Sequence, residues 1–560
     1  MKRCGLKLTH DGGVAVLDGR DLVACIEMEK LTNNERYRRI EHTDEIALAL
    51  HRSGFQPSDI DEYIIDGWDG EVDAWVELLG AAGRVQLKVA PYVEKEPDRA
   101  NEFTQGFGLN ILGRDYTYKS APHVMGHIAS VYCTSPFAIF KQKALCLVWD
   151  GSIWPRLYEI SDGGIRFINT LFPMIGHAYA CAGHHFGPYK NADRTSWKLD
   201  LAGKLMSYMS TGTVDSRITA AIQTSYQNNL AGHSPNALSY RRMSANTSVA
   251  LIQTHRFFEE IGVLVAGAPE HDILATFHYF VERLLIETLR HELARAGRNM
   301  SRNLCISGGC GLNIKWNSAL RSSGLFRDVW VSPFPNDSGS AIGAACSALV
   351  ANDGLVPINW SVFSGPHLVK STPDANWRGS ACELSELAAL LADGEPVVFL
   401  AGRAELGPRA LGARSILAPA SDRSMKDRLN AAKQREYFRP VAPICLEDRA
   451  PEIFEPGSND RYMLYDHKVR EGWRDRVPAI MHLDGSARVQ TIARTSAHPV
   501  AKLLVEYEKL TNIPLLCNTS ANALGRGFFP DVASACTWGR IAKVWAENVL
   551  WSNDVDARIP

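Results

Sequence analysis

ALCLVWDGSIWPRLYEISDGGIRFINTLF, residues 144–172, is the stretch on which the fold turns. An apolar run closes on Asp150-Gly151, a second β-rich run follows, Asp162-Gly163-Gly164 reverses the chain, and a third run completes the pattern. Apolar runs broken by Asp-Gly hairpin residues predict a three-stranded meander. The same grammar stands at residues 4–29, CGLKLTHDGGVAVLDGRDLVACIEME, with turns at Asp11-Gly12-Gly13 and Asp18-Gly19.

Two meanders separated by helical sequence predict a duplicated α/β domain of the actin, sugar-kinase and Hsp70 type. A third glycine site follows in NLCISGGCGLNIKWNSAL, residues 303–320, where a strand meets a helix at Gly308-Gly309 and Gly311. Such a turn lets backbone N–H groups approach a phosphate, and equally serves plain chain reversal. Residues 329–349, VWVSPFPNDSGSAIGAACSAL, read as a strand, a Pro-rich bend and a small-residue helix starting near Asp337. Between 352 and 380 the chain becomes rich in Pro, Gly, Ser and Asn, which marks a domain boundary. Domains are therefore expected over 1–355 and 375–560. Beyond the boundary come helical ELSELAALLADG, the strand PVVFLAG, a long basic loop, and a final helix–strand–turn unit ending in NTSANALG.

With 560 residues the chain allows two to four domains. Hydrophobic residues at 46%, charged residues at 22% and a formal charge of -2 describe an ordinary globular composition. Nothing in that balance attracts nucleic acid or anionic membrane indiscriminately, so any cationic site must be local. The twelve cysteines are scattered rather than paired as in a zinc knuckle or a secreted disulfide scaffold. No signal-like start and no run of about 18 apolar residues appears, so a cytoplasmic chain is expected, without membrane or nucleic-acid partners.

In APHVMGHIAS, residues 121–130, His123 and His127 stand four apart. That spacing places both imidazoles on one helix face, as for one metal ion, and is also the spacing of two ordinary helix histidines. Asp150 closes a buried-looking strand and Asp337 stands at a strand–helix junction; their plain roles are hairpin turn and helix cap. In a duplicated α/β fold both fall at strand ends facing a ligand cleft. Two His and two Asp suit iron(II), manganese or zinc acting as a Lewis acid. His10, at the first hairpin, has the side-chain chemistry of a base for an alcohol, or is an exposed turn histidine.

A basic cluster follows the boundary. GRAELGPRALGARSILA gives Arg403, Arg409 and Arg414; KQREYFRPVAP gives Lys433, Arg435 and Arg439. These cations alternate chiefly with Gly, Pro, Phe and Leu, with Glu405 and Glu436 alone among them, so a solvated helix face explains them poorly and phosphate binding is expected. Asn518, Ser520 and Asn522 of NTSAN offer further polar groups.

In order, H-D-G, H-x-x-x-H, strand-Asp-Gly, S-G-G-C-x-L-N, N-D-S-G-x-A-x-G-A-A, G-R-x-E-x-G-P-R-A-L-G-x-R-S-I-L, R-E-x-F-R-P-x-A-P, D-G-x-A-R-V-Q and N-T-S-x-N resemble the O-carbamoyltransferases of antibiotic and Nod-factor biosynthesis. The resemblance runs from His10 to Asn522. It implies an ASKHA domain followed by a YrdC-like α/β domain that joins carbamoyl phosphate and ATP, with Mg, into carbamoyl adenylate. The ASKHA domain would then pass the carbamoyl group to an alcohol acceptor and release AMP.

Carried onto this sequence, the resemblance makes His123, His127, Asp150 and Asp337 ligands of iron(II), and His10 the general base. It assigns Gly203, Gly308, Gly309, Asn313 and Asp150 to the adenylate. It assigns Arg403, Arg409, Arg414, Lys433, Arg435, Arg439, Arg488, Asn518 and Ser520 to ATP and carbamoyl phosphate. The family lysine that contacts the intermediate is missing: in MEKLTNNERYRRIEH the direct match is Glu35, with Arg36 or Arg38 as shifted substitutes. His177, His184, His185 and Tyr189 fall where acceptor recognition is expected, or are loop residues. The rival readings are an ASKHA kinase or ATPase, a tRNA threonylcarbamoyl-transferase relative, a metallohydrolase and a nucleotide-binding protein without activity. Acceptor identity is open, and an oligomer is compatible with the sequence.

Overall fold

The structure, a computed structural model, describes residues 1–33, 35–68, 74–81, 83–94, 102–162, 164–190, 199–231, 247–297 and 300–553. The chain forms two compact units, one of Met1–Leu6 with Asp61–Asn359, the other of Lys7–Ile60 with Trp360–Pro560. Both are mixed α/β.

In the first unit the expected second meander forms as strands Ala144–Val148, Arg156–Ser161 and Gly164–Thr170, paired antiparallel. Strand Asn303–Ser307 runs parallel to Ala144–Val148 on its other side, and Asp328–Val331 runs parallel to Asn303–Ser307. Both central strands are buried throughout, so their near-continuous apolar runs face packing on two sides.

An equivalent parallel series, Lys2–Lys7, Glu62–Asp66 and Arg114–Ala121, carries the earlier half. In chain order strand Lys2–Lys7 is followed by an antiparallel hairpin (Gly13–Asp18 with Asp21–Glu27) that belongs to the second unit, then a helix and the parallel strand Glu62–Asp66. The shared order is the duplication expected of an ASKHA-type fold.

Helix His123–Cys133 follows strand Arg114–Ala121 after Pro122, and all eleven of its residues are buried. It crosses helix Ser340–Asp353 at the small residues Gly126 and Gly343. A Cβ on Gly343 would come within 2.0 Å of the Gly126 carbonyl oxygen, so the helix backbones touch there. Small residues therefore let a histidine-bearing helix lie deep against its neighbour.

The second unit is built on one eight-stranded mixed sheet with the helices Leu384–Ala392 and Pro499–Thr511 packed together. Its core includes Phe399 stacked on Trp545, ring centroids 4.6 Å apart. The basic loop between strands Val397–Leu400 and Arg414–Ala418 is held from inside. Buried Glu405 accepts the N–H groups of Leu411, Ala413 and Arg414. Lys30 donates to the carbonyls of Glu405 and Gly407 at 2.6 Å each, and to Glu27. Among the described residues no helix is long and apolar enough to cross a membrane.

Candidate metal centre and cationic cradle

His123, His127, Asp150 and Asp337 meet in the first unit, with one ligand atom from each within 4.8 Å of the others and all four residues buried. The histidines come from the first turns of helix His123–Cys133. Asp150 follows the end of strand Ala144–Val148, and Asp337 opens the turn before helix Ser340–Asp353. Each aspartate thus lies beyond the carboxyl end of a parallel strand, the usual ligand-binding edge of such sheets.

Hydrogen bonds fix which imidazole nitrogen faces the centre. Asp66 Oδ2 accepts from His123 Nδ1 at 2.7 Å. Ser307 Oγ donates its one proton to the Pro335 carbonyl at 3.2 Å, so its lone pair faces His127 Nδ1 at 3.3 Å as acceptor. Both histidines therefore carry Nδ1–H and present bare Nε2 lone pairs, which stand 3.0 Å apart.

Around these lone pairs, Asp337 Oδ1 lies 3.4 Å from His123 Nε2 and 3.5 Å from His127 Nε2. Asp150 lies 3.8 and 4.0 Å from the same atoms. Two lone pairs and two carboxylates converging in a buried volume repel one another unless a cation sits among them. The donor set is that of a divalent first-row metal.

The glycine turn has a specific task here. Gly308 has φ +90°, and a Cβ on it would meet the Trp149 carbonyl oxygen at 2.3 Å. Only glycine fits that approach, which lets Gly309 N–H bond Asp150 Oδ1 at 2.6 Å. Asn313 caps helix Ile314–Ser322 through bonds from Lys315 and Trp316 N–H. Gly203 lies on helix Leu201–Tyr208, and a Cβ there would meet nothing within 4 Å.

Sequence reading missed Asp66, Ser307 and Tyr92, whose hydroxyl donates to Asp150 Oδ2. Asp66 had a signal, since IIDG repeats the strand-Asp-Gly ending of LVWDG. Ser307 opens the S-G-G-C-x-L-N motif, from which only Gly308, Gly309 and Asn313 were assigned a role; Tyr92 had no signal. Of the residues expected at an acceptor, His177 stands beside Gly151, His185 Nε2 lies 2.9 Å from His255 Nδ1, and the Tyr189 ring lies under Lys204. Residues 191–198 of that segment, and Asn34 of the altered NNERYRR stretch, lie outside the described residues.

In the second unit the expected basic residues divide by how their donors are used. Arg403 bonds the Ser364 and Gly365 carbonyls, and Arg414 those of Ala401, Gly402, Ala413 and Pro366. Lys433 bonds the carbonyls of Ser520 and Asn522 and the Asn522 side chain. Asn518 Nδ2 bonds Ala410 O and Gln490 Oε1, and Ser520 Oγ bonds Asn522 Oδ1. These residues order the loop and the NTSAN turn.

By contrast, Arg409 Nε, Arg435 Nε and Nη2, and Arg488 Nε are buried without a hydrogen-bond partner among the described residues. Burial, then the charges of Arg488, Arg36 and Arg439, lower the Arg409 pKa, and Arg435 and Arg488 are lowered in the same way by burial and neighbouring cations. Buried cations that repel one another and hold unused N–H groups form a cradle for a polyanion. Arg36 belongs with them: its backbone N–H bonds the Gly525 carbonyl and Glu35 bridges to Arg526, beside the turn that holds Lys433. Arg38 instead pairs with Glu41 and Glu45. His10 Nδ1 lies 2.9 Å from Asp11 Oδ2 with the ring partly exposed.

Two family models match the chain, the carbamoyltransferase N-terminus over residues 2–346 and the carbamoyltransferase C-terminus over residues 388–546. The chain is 55% identical to nodulation protein U of Bradyrhizobium diazoefficiens, across 99% of this chain and 98% of that one. It is 54% identical to nodulation protein U of Rhizobium tropici, across 99% and 96%. It is 32% identical to the 3'-hydroxymethylcephem-O-carbamoyltransferase of Streptomyces clavuligerus, across 95% of each.

Proposed function

The chain belongs to the carbamoyltransferase family and is a transferase, and on that premise we propose an ATP-dependent O-carbamoyltransferase that works through carbamoyl adenylate. The observation that carries the reading is the pairing of a cation-demanding His2Asp2 centre with a separate cradle of buried, unpartnered guanidinium N–H groups. Residues 375–560, together with Arg36, form the adenylate, and residues 1–355 otherwise carry out the transfer. Full-length identity above 50% to nodulation proteins, against 32% to the cephem enzyme, favours a Nod-factor hydroxyl as acceptor.

In the first half-reaction, Arg409, Arg435, Arg439 and Arg488, with Arg36, neutralise the phosphates of ATP and carbamoyl phosphate. Arg403, Arg414, Lys433, Asn518 and Ser520 hold the loops that aim them. Water hydrolyses carbamoyl phosphate to carbamate and phosphate; a carbamate oxygen then bonds to the α-phosphorus of ATP as the bond from the α-phosphorus to the bridging oxygen breaks and pyrophosphate departs. Enclosure matters because carbamoyl adenylate hydrolyses readily. In the second, His10, its Nδ1 oriented by Asp11, takes the proton of the acceptor hydroxyl through Nε2. The alkoxide oxygen bonds to the carbamoyl carbon and the bond to AMP breaks.

His123, His127, Asp150 and Asp337 would hold a divalent metal, iron(II) by family resemblance. Such an ion supplies Lewis-acid polarisation of the acyl and phosphate oxygens. Asp66, Ser307 and Gly309 keep His123, His127 and Asp150 aimed. The test incubates the protein with carbamoyl phosphate, ATP, Mg and iron(II) and a panel of Nod-factor and cephem alcohols, followed by mass spectrometry. A carbamoyl mass gain on one alcohol with one AMP formed is the expected result. ATP turnover without carbamoyl phosphate would point to a kinase or ATPase and sink the proposal.

A further inference from the structure

One tyrosine near the metal centre has no role in the scheme above. After strand Gly83–Val89, the carbonyls of Pro91 and Tyr92 accept the N–H groups of His123 at 3.3 Å and Val124 at 3.0 Å. These are helix N-terminal donors with no partner inside the helix, so the segment is fastened to the turn that carries His123. Two residues further on, buried Glu94 takes the Arg156 guanidinium and the Tyr158 hydroxyl, the latter at 2.9 and 3.1 Å. Arg156 also donates to Tyr158 at 2.7 Å and lies 4.3 Å over the Phe167 ring. The segment is thus clamped at the helix on one side and at the meander strands on the other.

Tyr92 stands between these clamps. Its hydroxyl donates to Asp150 Oδ2, while Gly309 N–H occupies Asp150 Oδ1. Its ring lies 4.4 Å from the His123 imidazole, tilted by 41°, with Trp68 edge-on at 6.4 Å.

We propose that Tyr92 is a positioning residue of the metal centre: it pins the Asp150 carboxylate and braces the His123 ring while its own oxygen stays off the ion. His123 and Asp150 come from different elements, a helix start and a strand end, and Tyr92 is a side chain that touches both. The inference rests on the His2Asp2 reading.

The probe is Co(II) alone, titrated into the full chain by its visible absorption and then withdrawn by a competing chelator. Wild type is expected to bind one Co(II), and Tyr92→Phe to bind it about 10–100-fold more weakly with altered bands. The far-ultraviolet circular dichroism and melting of the metal-free proteins should match. Equal affinity and bands, even with a changed melting point, would reduce Tyr92 to packing and overturn the inference. An iron(III)-loaded wild type with a phenolate charge-transfer band that Tyr92→Phe removes would make Tyr92 a ligand, and overturn it too. Should Tyr92→Phe fail to fold, Glu94→Gln loosens the anchor and leaves the phenol in place, with the same expected loss and the same overturning result. A wild type that takes up no Co(II) sinks the metal centre itself, whereas equal binding by wild type and variant sinks only the role of Tyr92.

Discussion

Arg36 shows how a single side chain takes its meaning from its surroundings. MEKLTNNERYRR offers two arginines near the missing family lysine, and their sequence context does not separate them. In the fold, Arg38 is paired with Glu45 at 2.7 Å, whereas Arg36 Nε stands 4.0 Å from Glu29. Arg36 lies on the segment bound to the 520–526 turn, and its charge bears on Arg409, Lys433 and Arg435. A hydrogen bond to a charged group contributes about 1.5–3 kcal/mol. Arg36→Ala should therefore weaken ATP or pyrophosphate binding about 10–100-fold by calorimetry, and Arg38→Ala should leave it unchanged. The reverse ranking would remove Arg36 from the cradle.

The helix Glu270–Ala296 supplies a pH dependence. Its His278 is buried, takes a hydrogen bond with Tyr179 at 3.0 Å, and stacks on Trp316, which stacks in turn on Trp149 next to Asp150. Burial, then the charge of Lys315, lowers its pKa from 6.5 to about 3. Between those values the unfolded chain binds a proton that the folded one refuses. The contribution is present above about pH 6.5 and is lost as pH falls toward 3. Urea unfolding at a series of pH values should show stability falling by several kcal/mol across that window, with a shallower fall in His278→Gln. A variant with the wild-type slope would place the acid sensitivity elsewhere.

The two compact units lead to a calorimetric expectation, because the metal centre falls in one and the cradle in the other. A ligand at 100 times its dissociation constant stabilises the state that binds it by about 2.7 kcal/mol. Scanning calorimetry should resolve two transitions, Co(II) raising one by several degrees and pyrophosphate raising the other. Movement of the same transition by both ligands would refute the assignment of the two sites to separate units.

The repeated Asp-Gly meanders, the H-x-x-x-H pair and the carboxylates closing apolar strands were legible because strand and helix periodicity are local properties, and so is the turn preference of glycine. The ordered motifs likewise marked the carbamoyltransferase family before any coordinates. Long-range contact decided the rest. It joined Lys7–Ile60 to the C-terminal unit and committed Arg403 and Arg414 to backbone carbonyls. It also set Asp66, Ser307 and Tyr92 around the metal ligands. A guanidinium reads the same in a one-dimensional chain whether a carbonyl or a phosphate will meet it, since the partner that satisfies a buried donor is brought there only when distant segments pack.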